Sequence, residues 1–281
     1  MRIIIFLDKD NFDKSLNWVN KDYPKGQKRF WDISKYIPFL LEKIKDLDKE
    51  KFNKEELKLI KTFIYTGRYN SEIIYKIKWT CNNKIKEIKQ AVDIENLLLE
   101  ELTRLCSAKC NLKEEKINEK IVEYVKRNIL ALEEKKKIYE DRIAKQVRNR
   151  DGQKKFFSWI SKNPFIELKT TLIKYADGEV YQKGVDNKLV TDLIHLAHTD
   201  SYDIALILSG DSDLAEAVKL VKENLSKTVI VVSYYTEGDC LLSNISDLKK
   251  VVGNNFLNLK DFTKEELEKM SDLRRIKETE Q

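Results

Sequence analysis

The run Arg2-Ile3-Ile4-Ile5-Phe6-Leu7, closed at once by Asp8, constrains this chain more than any other feature. Its apolar residues are consecutive and Ile-rich, with no polar alternation. Such a run reads as a strand buried on both faces, the condition of a central strand in a parallel sheet covered by helices. Asp8 also ends it far too soon for a signal peptide or a membrane span. No other segment has the length and apolarity of a span, so a cytoplasmic protein is expected.

The same signature recurs downstream. Ile204-Ala205-Leu206-Ile207-Leu208 is a second buried strand, ending in Ser209-Gly210-Asp211-Ser212-Asp213, and Thr228-Val229-Ile230-Val231-Val232 is a third. Leu59 through Tyr65 reads as another strand, closed by Thr66-Gly67-Arg68, and Phe256-Leu257-Asn258-Leu259 as a last short one. Between them lie helical patterns: Ile33, Ile37, Leu40, Leu41 and Ile44; a helix opened by Asp186 with Leu189, Leu193 and Leu196; and one carrying Leu214, Val218 and Val221. Thr263 with Glu266 three residues later is a capping box for a terminal helix. Alternating strands and helices imply an α/β fold, a Rossmann-like central parallel sheet flanked by helices. In such sheets ligands bind beyond the carboxyl ends of the strands, where Asp8 and Asp211 sit.

From about residue 70 to 165 the texture changes to Lys- and Glu-rich sequence with apolar residues every three or four positions. It predicts long helices forming an antiparallel pair that turns near Cys110-Asn111. The plain reading is an amphipathic hairpin packed on the core; the functional one is a basic arm or an oligomerisation helix. Its end, Arg142 through Arg150 and then Lys154-Lys155-Phe156-Phe157, combines cations with aromatics that can grip a nucleic-acid backbone and stack a base. The expected domains are residues 1–69 with 165–260, a helical insertion over 70–164, and a C-terminal helix and tail over 261–281.

Charge and cysteines narrow the function classes. The net charge of +6 permits a nucleic-acid partner without demanding one, because 53 basic residues are interspersed with 47 acidic ones. The four cysteines, Cys81, Cys106, Cys110 and Cys240, form no C-x-x-C pair, and the chain has only two histidines. That argues against a structural zinc site and for free thiols in a reducing compartment.

Three separated segments carry aspartates at strand ends or helix starts: Asp8-x-Asp10-Asn11, Gly184-Val185-Asp186, and Gly210-Asp211-Ser212-Asp213. Converging carboxylates repel unless a hard cation sits among them, and Mg²⁺ takes oxygen ligands. Such ions can activate water and stabilise the leaving oxygen in phosphodiester cleavage. Each acid also has a structural role open to it. Asp8 and Asp186 could cap the helices that follow, and Asp213 with Glu216 makes a good capping box. Asp211 is harder to explain that way, because Ser212 or Asp213 already offers a cap. Asn11 suits a turn or the orientation of Asp8. Asp192 borders the apolar face of its helix, and His195 with His198 has metal-binding spacing but more often packs or faces solvent.

The chain resembles the NYN domains, a branch of the PIN-like ribonucleases related to the LabA and DUF88 proteins. Ile5-Phe6-Leu7-Asp8-Lys9-Asp10-Asn11-Phe12 is similar to the family's opening strand with its Asp and Asn. Phe63 through Arg68 resembles its second strand, Gln182 through Leu193 its lysine–glycine–valine–aspartate helix start, and Tyr202-Asp203 through Asp213 its most recognisable segment. The segments occur in the family's order. The resemblance implies a PIN-like fold, Mg²⁺ or Mn²⁺ dependence and RNA cleavage, with DNA left open as a substrate. It carries metal or catalytic roles onto Asp8, Asp186 and Asp211, with Asp213 and Asn11 alongside. Lys183 and Arg68, near predicted strand ends, are candidates for neutralising substrate phosphates. The long helical segment departs from the simple family pattern. Two rivals stand beside this reading. One is a phosphatase resembling the haloacid dehalogenase group, with Asp8 as nucleophile; Phe12 and the lack of a role for Asp186 count against it. The other is a catalytically silent RNA-binding or assembly module.

Overall fold

The computed structural model describes residues 1–24, 27–47, 56–107, 112–176, 178–236 and 245–273, with the backbone course alone for 105–107 and 112–118. Its strands are β1 (Arg2–Asp8), β2 (Arg29–Trp31), β3 (Lys58–Arg68), β4 (Ile166–Ala176), β5 (Glu179–Gln182), β6 (Ile204–Leu208), β7 (Thr228–Ser233), β8 (Phe256–Asn258) and β9 (Ser271–Leu273). Its helices are α1 (Lys9–Lys21), α2 (Ile33–Leu47), α3 (Ser71–Ser107), α4 (Leu112–Ile160), α5 (Val185–His198), α6 (Ala215–Glu223), α7 (Ile245–Val252) and α8 (Lys264–Lys269).

Seven strands form one mostly parallel sheet in the order β5-β4-β3-β1-β6-β7-β8. The pairs β1–β3, β1–β6, β6–β7 and β7–β8 all run parallel. The expected α/β class with a central parallel sheet is the one observed. β1 lies in the middle of the order, and all of its residues from Ile3 to Asp8 are buried. β6 is buried along its whole length and β7 from Val229 onward. Each fully buried Ile, Leu or Phe contributes roughly 1.5–3 kcal/mol, so these runs, rather than the edge strands, fix the sheet.

The chain divides into two compact units. The first comprises Met1–Arg68, Phe157–Thr171 and Gln182–Gln281. One core cluster there joins Ile4, Phe6, Phe63 and Tyr65 of the sheet to Val185, Leu189 and Leu193 of α5 and to Val218 and Val221 of α6. The buried positions of α5, Val185, Leu189, Leu193 and Ala197, repeat every four residues, which makes one stripe on a helix. α1 buries Phe12, Ser15, Leu16 and Val19 on one face, and Phe12 meets Tyr36 of α2 edge-on.

The second unit comprises Tyr69–Phe156 and Leu172–Tyr181. α3 buries Ile74, Ile77, Cys81, Ile85, Ile88 and Val92, again a single stripe. Asn128 of α4 bonds Glu95 at 3.4 Å, while Tyr139 and Ile143 pack with Ile73 and Ile77. Later residues of α4 thus meet earlier residues of α3, so the pair is antiparallel as expected. The anticipated turn at Cys110-Asn111 lies outside the described residues. Cys81 is a buried free thiol.

Several elements lie where the sequence reading placed none. β2 pairs antiparallel with β9, joining positions about 240 residues apart, as in Arg29 with Leu273. β4 buries only Ile173 and Tyr175, and β5 buries none of its residues. The terminal helix α8 does have the expected capping box, with Thr263 and Glu266 bonding each other's backbone N–H. It ends at Lys269, and β9 follows after Met270.

Candidate metal centre

β1 and β6 are parallel neighbours with Leu7 beside Leu208. Their carboxyl ends therefore deliver Asp8 and the Ser209-Gly210-Asp211 segment to the same rim of the sheet. Asp8 is the last residue of β1 and the N-cap of α1. Its Oδ1 accepts from Asn11 N at 3.2 Å and its Oδ2 from Ser209 Oγ at 3.2 Å. Ser209 Oγ in turn accepts from Asp211 N at 3.2 Å. The Asn11 side chain crosses the same gap: its Oδ1 accepts from Gly210 N at 2.8 Å. One serine and one asparagine thus lock the loop after β1 to the loop after β6.

Gly210 fits because it has no side chain. A Cβ there would stand 2.4 Å from Ser233 Oγ and 2.9 Å from Ile245 Cδ1. Asp186 arrives from elsewhere, in the first turn of α5. The helix begins at Val185, with Gly184 as its N-cap in the left-handed region at φ +83°. The suggestion that Asp186 caps this helix is therefore corrected: Asp186 lies inside it, and Gly184 supplies the turn that only glycine adopts easily.

Ligand oxygens of Asp8, Asp186 and Asp211 lie within 4.8 Å of one another. Among the described residues none of the three forms an ion pair, so the cluster holds unneutralised negative charge in little space. Burial is the main cause of the outcome: Asp8, only 4% exposed, has its carboxyl pushed up to about 7, with the Asp186 charge adding to the shift and the Asn11 and Ser209 hydrogen bonds opposing it. Asp186 is likewise raised, by burial first and by Asp211 next. Three hard oxygen donors facing one another, with no ion-pair partner among the described residues, suit a hard divalent cation.

The remaining predicted residues fall into place around this centre or away from it. Asp211 caps the 3₁₀ turn Ser212–Leu214 by accepting from Asp213 N at 3.0 Å. The expected capping box of Asp213 with Glu216 is corrected: α6 takes Leu214 as its N-cap and has no side-chain cap bond. The cap role thus fell to Asp211, the acid for which the sequence made it least needed. Asp213 is exposed, stands outside the three-oxygen cluster, and adds to the field that raises Asp186. Lys183 and Arg68 are exposed, and their side chains have no hydrogen bond or ion pair among the described residues. Asp192 accepts from Tyr65 Oη at 3.0 Å and faces Lys169 at 3.6 Å, so it braces α5 against β3 and β4. His195 and His198 occupy the last turn of α5, roughly 14–18 Å along the axis from Asp186 at 1.5 Å per residue.

Two residues escaped the sequence reading as site members. Asp10 accepts from Thr66 Oγ1 at 3.2 Å and from Gln182 Nε2 at 2.5 Å, tying α1 to the end of β3 and to β5. Its charge also contributes to the raised Asp8 carboxyl. The Asp8-x-Asp10 spacing was its only signal. Lys14, one turn further along α1, is the cation that opposes the upward shift of Asp186. Nothing local marks it among so many lysines.

The family model described as "NYN domain" matches residues 91–247, more than half of the chain. That span includes Asp186, Asp211 and Asp213 and begins after Asp8 and Asn11. A crystal structure of a protein of unknown function from Vibrio parahaemolyticus RIMD 2210633 is 14% identical, with a TM-score of 0.43, over 92% of this chain and 93% of that one. No curated protein matches the chain.

Proposed function

This chain belongs to the NYN domain family, and from that membership we propose that it is an endoribonuclease that needs Mg²⁺ or Mn²⁺ and cuts single-stranded RNA. NYN domains are in general PIN-like nucleases, and a nucleic-acid substrate follows from the family. The observation that carries the reading is the meeting of Asp8, Asp186 and Asp211 at the carboxyl rim of the sheet, within 4.8 Å and with no ion-pair partner among the described residues.

Those three carboxylates would hold the cation directly or through water. Bound there, a divalent metal supplies Lewis acidity, lowering the pKa of a coordinated water and offsetting charge on the phosphodiester. The chain's own groups prepare the place. Asn11 N and Ser209 Oγ fix both oxygens of Asp8. The Asn11 side chain holds the Gly210 backbone, and with it Asp211, at a set distance from α1. With its carboxyl raised to about 7, Asp8 is about half protonated at neutral pH, so a cation held there would compete with that proton. Lys183, Arg68 and Lys14 are the cations offered to substrate phosphates, and Asp213 completes the acidic field. The proposed nuclease fold is discontinuous, residues 1–69 with 165–260, and residues 70–164 form the insertion. Among the described residues no helix is long and apolar enough to cross a membrane; a cytoplasmic site of action is part of the proposal.

The phosphatase alternative is weaker. It needs Asp10 as a free acid, whereas its carboxylate is engaged by Thr66 and Gln182, and it leaves Asp186 without a role. The test is incubation of labelled single-stranded RNA with the wild type and with the Asp8→Asn Asp211→Asn double variant, in Mg²⁺, Mn²⁺ or EDTA. Metal-dependent cutting by the wild type alone is expected. Equal cutting by the variant would remove the centre from the mechanism.

A further inference from the structure

The chain's positive charge is not spread evenly. Between Lys135 and Lys155 nine Lys and Arg stand against three Asp and Glu, a net of +6, equal to the net charge of the whole chain. The other 260 residues therefore balance to zero. All of this excess lies on one continuous stretch of helix, α4, within the second unit.

Helical geometry sorts these cations. At about 100° per residue, Lys137, Lys145, Arg148 and Lys155 fall within roughly 80° of arc, on one face. All four are exposed, and among the described residues none has an ion-pair partner. The contrast is with their neighbours: Lys136 pairs Glu133, and Arg150 pairs Asp151. The one acid in the middle of the face, Asp141, precedes Lys145; from there to Lys155 the face is basic. Lys137 to Lys155 spans about 27 Å of helix axis at 1.5 Å per residue.

Gly152 lies on the same face, between Arg148 and Lys155. A glycine inside a helix costs about 1 kcal/mol against alanine, so it usually marks a close approach. Here a Cβ would meet nothing within 4 Å. No packing among the described residues explains the glycine; a ligand lying against the helix would.

We propose that this face of α4 binds the phosphodiester backbone of a single-stranded nucleic acid. Lys145, Arg148 and Lys155 contact successive phosphates, and Gly152 lets the strand lie close between them. Basic from Lys145 to Lys155, with no ion-pair partner for these cations among the described residues, the face suits a polyanion that is read by charge rather than by base. The inference rests on the nucleic-acid reading above, yet concerns binding and not cutting.

The test is fluorescence anisotropy with a labelled oligouridylate of about thirty residues, in EDTA so that no cleavage occurs, over a salt series. Three proteins are compared: the wild type, Lys145→Glu/Arg148→Glu/Lys155→Glu, and a control with the same charge change elsewhere, Lys45→Glu/Lys219→Glu/Lys260→Glu. For the face variant the expected result is a loss of affinity above tenfold and a salt slope smaller by about 2, at roughly 0.7 per phosphate contact on a single strand. The control is expected to keep its slope. Equal losses in both variants, unchanged binding by the face variant, or no binding by the wild type at low salt would each overturn the proposal. Metal-dependent cutting that persists in any of those cases would leave the nuclease reading standing. Cutting that fails while the face still binds would remove that reading and keep this one.

Discussion

The two ends of β1 and β6 treat the same residue type in opposite ways. At the amino end, Asp203 accepts from Arg2 N at 2.6 Å and pairs its guanidinium at 2.7 Å, and Asp200 is bound by Arg2 and Lys227. The Arg2 hydrogen bonds hold the Asp203 carboxyl at about 2. At the carboxyl end, Asp8 stands six residues from Arg2 on the same strand, buried and with no ion-pair partner among the described residues, and is pushed up to about 7. One end neutralises its acids from within and is complete. The other brings three acids together with no ion-pair partner among the described residues. That asymmetry separates an acid that helps hold the sheet together from one that, on the proposed reading, holds a cation.

The sharpest way to break the comparison is Asp8→Asn. If the carboxyl end is chemical, RNA cleavage should fall by at least about a hundredfold, the order expected when a carboxylate that holds the metal is lost. The metal-free fold should meanwhile become more stable, which a denaturant titration in EDTA would show. A loss of both activity and stability would make Asp8 structural, like Asp203.

The pH dependence carries the same contrast with opposite signs. In the unfolded chain the Asp8 carboxyl titrates near 3.8, and in the fold near 7. The native state therefore holds the extra proton between those values, and metal-free stability declines as pH rises from about 4 to 7. The full decline is about 4 kcal/mol, because each tenfold change in proton affinity is worth about 1.36 kcal/mol. Asp203 has its carboxyl depressed, so its contribution is full above about 4 and fades as pH falls through about 2. Divalent metal should bind more tightly as pH rises through 7, with proton release measurable by calorimetry in buffers of different ionisation heat. Affinity independent of pH would sink the assignment of Asp8 as a ligand.

Two smaller changes sharpen the account of how the rim is held. Gly210→Ala forces a methyl against Ser233 and Ile245, costing about 1–3 kcal/mol by overpacking, and should weaken metal binding by displacing Asp211. Unchanged unfolding and metal titrations would contradict that geometry. Ser209→Ala removes the hydroxyl that opposes the upward shift of Asp8. At neutral pH its metal affinity should fall several-fold while recovering at about pH 9, where Asp8 is ionised regardless. The smallest effect belongs to the amino end. Asp203 is partly exposed and screened, so Asp203→Asn should cost about 1 kcal/mol and leave cleavage untouched; a clear drop in turnover there would dissolve the contrast between the ends.

Much of this frame was already written in the chain. Uninterrupted apolar runs from Ile3 to Leu7, Ile204 to Leu208 and Val229 to Val232 demand cover on both faces, and that alone makes them central parallel strands. The acids that follow two of those runs, Asp8 and Asp211, then have to emerge at the ligand-binding rim. A local rule also fixed the Thr263–Glu266 box, because its partners lie three residues apart. What the sequence left open depends on contacts between distant residues. β2 meets β9 across some 240 residues, and neither has a pattern long enough to show its face. The bond from Gly210 to Asn11 and the choice of Asp211 over Asp213 as cap needed the two loops side by side. Above all, the identity of every aspartate was visible, but its ionisation was not. Sequence names a carboxylate; only the packed structure decides whether an arginine or a low-dielectric rim surrounds it, and that surrounding sets its charge.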